Sequence, residues 1–322
     1  MGKIWAETVN GMTWGWTGVR GTWAGPEAEF SMREMAKLGV NWTALALAAE
    51  QETGQSTEIP FREPPAVTDE EVRQAIRFAK SLGLKVCLKP VVNCANGTWR
   101  AHICFFEEDV PGEPTWGEWF RAYGEFILHY AAIAEQEGCE MFCVGCEMVQ
   151  ADRREAEWRR LIADVRDVYS GPITYNCDKY QEDRVSWWDA VDVISSSGYY
   201  PSGQWEAQLD RIERAVLRWN KPFFFMEKGC PSRTGSSGRP NDWSLDGGPD
   251  EEEQARWYAE MFEACSKREW MRGYMLWDWP AKLHAREGAS SNRDYCLYGK
   301  KAEATVRAFY LSRGARKAGD AR

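Results

Sequence analysis

Residues 141–177 read MFCVGCEMVQADRREAEWRRLIADVRDVYSGPITYNC. The apolar run MFCVGC stops at Glu147. An amphipathic stretch follows over 154–169, in which Trp158, Leu161, Ile162 and Val165 recur at helical spacing. A second apolar run, PITYNC, closes the segment at 172–177. Apolar run, amphipathic segment and apolar run together predict a βαβ unit with parallel strands.

The same alternation extends in both directions. Toward the N-terminus, GMTWGWT (11–17) precedes a helix pattern that opens near Pro26 and stops at Gly39. NWTALALA (41–48) precedes TDEEVRQAIRFAKSLG (68–83), where Thr68 and Glu71 form a capping box. KVCLKPVV (85–92) precedes a long aromatic loop and the helix pattern of 115–138. Toward the C-terminus, PITYNC is followed by a segment with room for only one or two helical turns. DVISSSGYY (192–200), PFFFMEKG (222–229) and GYMLWDWP (273–280) are each followed by a helix pattern. Eight such units predict an α/β fold, a single-domain (β/α)8 TIM barrel over residues 1–313, with 314–322 as a disordered tail. The rival doubly wound sheet normally carries a glycine-rich phosphate turn, and no G-x-G-x-x-G is present.

The net charge of −9 argues against nucleic acid or an anionic membrane as partner. No stretch is long and apolar enough to cross a bilayer. The first 16 residues show no apolar leader, so the expected compartment is the cytoplasm. Ten scattered cysteines then read as reduced, buried small side chains. CVGC (143–146) looks like a metal or redox pair, but strand positions three apart point to opposite faces. No metal or cofactor is expected. With 18 Trp, 12 Tyr and 13 Phe, aromatics make up 13% of the chain. Large flat side chains serve core packing, and they also stack on the C–H faces of sugars.

Barrel active sites lie where strands end and βα loops begin. Glu147 ends the fourth predicted strand and Glu227 the seventh, so both point to one mouth. Two carboxylates among aromatics suit glycoside hydrolysis, in which one acid protonates the leaving oxygen and the other attacks the anomeric carbon or activates water.

At this point the chain resembles the clan A glycoside hydrolases, and most of all family 113, whose members are β-mannanase-like. The resemblance rests on FCVGCEM (142–148), GYYPSG (198–203), FFFMEKGCPSR (223–233) and GYMLWDWP (273–280), and its order and spacing cover nearly the whole chain. It implies Glu147 as acid/base, Glu227 as nucleophile, retention of anomeric configuration, and β-1,4-mannan or manno-oligosaccharides as substrate. It also implies that Trp277 forms the floor of the −1 sugar site. The chain departs from the clan at Cys146, where many members carry an asparagine that contacts the sugar 2-hydroxyl.

Lys89 and Tyr199 are expected to donate to Glu227. Trp14 and Trp16 are candidate walls. Asn176, Asp178 and Asp278 are candidate partners of sugar hydroxyls. The loops CANGTWRAHICFF (94–106) and CPSRTGSSGRPNDW (230–243) are expected to border the mouth and set the number of subsites. Two alternatives stand beside this reading: another β-hexosidase or β-glucanase of the same clan, and a non-catalytic carbohydrate-binding barrel.

Overall fold

The computed structural model describes residues 7–16 and 18–320. Eight strands close into a parallel barrel in sequence order: β1 (Val9–Trp14), β2 (Trp42–Gln51), β3 (Lys85–Cys94), β4 (Met141–Cys146), β5 (Ile173–Cys177), β6 (Val193–Ser197), β7 (Phe223–Lys228) and β8 (Met271–Trp279). Seven helices surround it: α1 (Pro26–Ala36), α2 (Asp69–Ser81), α3 (Trp116–Gln136), α4 (Glu155–Val168), α5 (Trp205–Trp219), α6 (Glu251–Ser266) and α7 (Lys301–Asp320). After β5 the chain makes only the short 3-10 turn Trp188–Ala190, as its length required.

Local sequence explains the helix starts. Thr68 accepts from the Glu71 N–H at 3.2 Å, while the Glu71 carboxylate accepts from the Thr68 N–H at 2.9 Å. Thr115 and Glu118 repeat the device at α3. Helix α7 runs to Asp320. Residues 1–6, read for a leader, and residues 321–322 lie outside the described residues.

Two apolar layers follow from strand alternation. The barrel interior holds Val9, Trp42, Cys87, Cys143, Phe224 and Met275. A much larger layer lies between barrel and helices. Eleven of the 18 tryptophans are sealed with under 2% or so of their surface exposed, most of them in this outer layer, such as Trp158 stacked on Trp187 at 5.0 Å. Burying one such ring contributes about 3 kcal/mol, so most of the tryptophan content is structural.

Two strands break their own alternation, and both breaks matter. In β4, Met141 and Cys143 face inward, and Phe142 and Val144 face outward. Gly145 also faces outward: a Cβ there would meet Trp158 at 2.8 Å and Tyr123 and Tyr175 at 3.0 Å. The register against β5 shifts between Cys143 and Cys146, which is a bulge, and Cys146 points inward again. Cys143 and Cys146 therefore face the same side, contrary to the expectation from regular pleating. In β7, Phe224 and Met226 face inward, so a regular strand would turn Glu227 toward the helices. The register shifts against both β6 and β8 at this point, and Glu227 turns inward instead. Lys228 takes the outward position, 3.6 Å from the Phe225 ring, donating to Cys265 Sγ at 3.2 Å.

Candidate active site

At the C-terminal ends of the strands lies a cleft of about 660 Å³. Its lining includes Trp16, Trp99, Arg100, Glu147, Asp178, Tyr199, Glu227, Trp243 and Trp277. The cleft lies where the barrel frame placed it, and both loops expected at the mouth reach it, 94–106 through Trp99 and Arg100 and 230–243 through Asn241 and Trp243.

Glu227 is buried and held on both oxygens. Its Oε1 accepts from Lys89 Nζ and, at 3.2 Å, from Cys146 Sγ. Its Oε2 accepts from Tyr199 Oη at 3.0 Å. Lys89 is itself fully buried and donates to Asn176 Oδ1 at 3.1 Å. Burial alone would raise the Glu227 pKa. The charges of Lys89 and Arg100, with the hydrogen bonds from Lys89 and Cys146, outweigh it and hold the carboxylate below its ordinary range. Lys89 stays charged in turn: desolvation works against it, but the negative groups around it raise its pKa overall.

Glu147 follows β4 directly, at φ 53°, the left-handed region that costs a non-glycine residue on the order of 1 kcal/mol. The Glu147 N–H donates to the Asn176 carbonyl at 2.7 Å, which anchors this turn. The turn lets successive residues, Cys146 and Glu147, both face the cleft. Glu147 Oε1 accepts from Ser197 Oγ at 2.6 Å, and Oε2 accepts from Arg100 Nη1 at 2.6 Å and Trp99 Nε1 at 3.4 Å. Here burial, followed by the negative charge of Glu227, dominates over Arg100, and the Glu147 pKa is raised. The two carboxyl groups thus differ in basicity in opposite directions.

The other expected residues divide. Tyr199 and Lys89 both donate to Glu227. Trp16 and Trp277 line the cleft with ring centroids 5.0 Å apart, and Arg100 lies 5.6 Å from the Trp16 ring. Asp178 lines the cleft too, its carboxyl pushed up to about 8 by burial and by the charge of Glu147. Trp14 does not reach the site. It is in β1 facing the helices, where its Nε1 donates to Ser31 Oγ at 3.1 Å and its ring meets Trp23 edge-on at 5.2 Å. Alternation along β1 turns it away from the mouth. Asn176 lies inside β5 rather than after it, and is fully buried. Its carboxamide accepts from Lys89 and donates to Ser197 Oγ at 3.0 Å, so it braces both halves of the carboxylate pair from below instead of meeting a ligand. Asp278 is absent from the cleft lining and opens on a neighbouring depression.

Arg100, Trp99 and Ser197 escaped the sequence reading. Arg100 and Trp99 sit in a loop with no periodicity to orient them, and only the flagged aromatic character of 94–106 pointed there. Ser197 is one of three successive serines, and pleating had to be known before one could be chosen.

A parallel barrel that presents two carboxylates of opposed basicity beside tryptophan faces has the equipment to cleave a glycosidic bond, and the class it defines is the glycoside hydrolases. The sequence model of Glycoside Hydrolase Family 113 matches residues 12–300. The chain belongs to glycoside hydrolase family 113. A solved structure of a family 113 β-1,4-mannanase is 54% identical, with a TM-score of 0.94, over 95% of this chain and 100% of that one. A complex structure of a family 113 β-1,4-mannanase is 53% identical with the same TM-score and coverage. The family 113 β-mannanase AaManA from Alicyclobacillus acidocaldarius, in complex with ManMIm, is 46% identical, with a TM-score of 0.92, over 95% of this chain and 98% of that one. A search of curated proteins found no match.

Proposed function

We propose that the protein hydrolyses β-1,4-mannan or manno-oligosaccharides with retention, by double displacement, with Glu227 as nucleophile and Glu147 as acid/base. The observation that carries the assignment is the unequal setting of the two carboxyl groups. Glu227, beside Lys89, Tyr199 and Cys146, is kept ionised and ready to attack an anomeric carbon. Glu147, with its raised pKa, keeps a proton for the leaving oxygen and, once deprotonated, draws a proton from the incoming water. Trp277 and Trp16 offer faces for the sugar at the reacting position. The identity to the mannanases named above supports mannose as that sugar.

The substrate is tested by turnover of aryl β-mannosides, β-glucosides and β-galactosides together with manno-oligosaccharides. β-Mannosides are expected to be preferred by about 10-fold or more in kcat/KM, a gap of roughly 1.4 kcal/mol in transition-state binding. Preference for another aryl glycoside would overturn the mannan reading, and no turnover of any would leave a binding barrel.

Lys89 supplies a test of the acid–base assignment. Losing a positive neighbour raises a carboxylate pKa. In Lys89→Met the acid limb of kcat/KM, which reports ionisation of Glu227, therefore moves to higher pH. Activity is expected to fall on the order of 100-fold. Breaking a buried pair by removing one partner costs about 3–5 kcal/mol of stability at neutral pH, unless Glu227 takes up a proton. An unmoved acid limb in a folded Lys89→Met variant would refute the role given to Glu227.

A further inference from the structure

Beyond the catalytic cleft, the surface around the end of β8 is not closed. A depression of about 360 Å³ adjoins the cleft, and the two share Trp16 and Trp243 as walls. Trp243 is 62% exposed and leans on Tyr295 with ring centroids 5.0 Å apart. An indole held from behind and open in front is a stacking platform. Asp278 opens on this depression, and its carboxylate makes no hydrogen bond to another residue among those described. A third depression, about 420 Å³, shares Lys282 and His284 with the second and runs to Phe30 on α1, which is 48% exposed. Both volumes fall within the roughly 300–1,000 Å³ typical of small-ligand sites. Their walls alternate aromatic faces with hydroxyl-binding polar groups, the composition that suits neutral sugars.

Direction follows from topology. In the closed order β1 to β8, β8 lies four places from β4, on the opposite side of the mouth from Glu147. The leaving group lies on the side of the acid that protonates it. The depressions beside β8 therefore extend from the end that holds the non-reducing part of the chain. This step rests on the proposed role of Glu147. We propose that these depressions form a track for a β-linked hexose chain, running from Trp243 past Asp278 and Lys282 to Phe30, and that it binds the non-reducing portion of polymeric substrate outside the catalytic cleft. The polymer continues from the cleft, so the occupant is a longer piece of the molecule being cut.

The test measures binding, so it does not depend on turnover. Mannohexaose and mannobiose are titrated calorimetrically into the full chain carrying Glu227→Gln, and into the same protein with Phe30→Ser and Lys282→Ala added. Phe30 and Lys282 are surface side chains, and near-ultraviolet circular dichroism checks that the fold is retained. Without the track substitutions, the hexaose is expected to bind about 10-fold tighter than the disaccharide. With them, that ratio is expected to fall to within about twofold, because the distal contacts are gone. An unchanged ratio would overturn the track, as would equal affinity of the two sugars in the first protein. Failure of the wild-type protein to hydrolyse any mannoside is a separate result, and it would count against the catalytic reading instead.

Discussion

Glu227→Ala is expected to lose turnover on mannobiose by on the order of 10,000-fold or more, with the protein still folded. Removing the side chain removes the nucleophile and leaves a space beside the anomeric carbon. It also strands Lys89, whose other hydrogen-bond partner among the described residues is Asn176, so some loss of stability accompanies it. Azide fits such a space and carries the missing negative charge. With an activated aryl β-mannoside, azide is expected to restore activity and to yield the α-mannosyl azide, inverted because only one displacement occurs. Near-normal activity without azide, or a β-configured azide product, would refute Glu227 as nucleophile.

The second large effect belongs to Glu147, and it depends on the leaving group. A general acid contributes about 100- to 10,000-fold, and most where the departing oxygen is basic. Glu147→Ala is therefore expected to lose activity on manno-oligosaccharides across that range. A dinitrophenyl β-mannoside needs no proton to leave, so its glycosylation step survives while hydrolysis of the covalent intermediate slows. A burst of dinitrophenol followed by a slow steady state is the expected trace. Azide added here attacks the intermediate and gives the β-mannosyl azide, with configuration retained. The basic limb of the wild-type pH profile, set by the raised pKa of Glu147, should vanish in this variant. Equal losses on both substrates would count against an acid role.

Cys146 acquires a definite place in this arrangement. The sequence marked it as the departure from the clan's asparagine. In the fold its thiol donates to Glu227 Oε1, the oxygen that also accepts from Lys89. Burial pushes the Cys146 thiol well up, so it remains a neutral donor and adds no charge to compete with the nucleophile. All ten cysteines are free thiols, and no group of three or more His, Cys, Asp or Glu among the described residues is arranged to hold a metal.

The sequence by itself determined the barrel and its two carboxylates. Periodicity is local: the heptad-like spacing of Trp158, Leu161, Ile162 and Val165 and the capping box at Thr68 act within one or two helical turns, so the eight βα units could be read one at a time. Once they closed in order, the strand ends of Glu147 and Glu227 had to share a mouth. Only the tertiary structure decided which way those side chains turn. Regular pleating would have pointed Glu227 at the helices and split Cys143 from Cys146, whereas at Trp14 the pleat holds and turns the ring to the helices, although the residue ends its strand. The bulge around Gly145, the register shift at Glu227 and the left-handed turn at Glu147 override the period of two, because neighbouring strands and outer-layer rings such as Trp158 constrain the backbone there. Arg100, Ser197 and the depressions beside β8 were illegible for the same reason, since each is defined by residues far apart in the chain and adjacent only after the barrel closes.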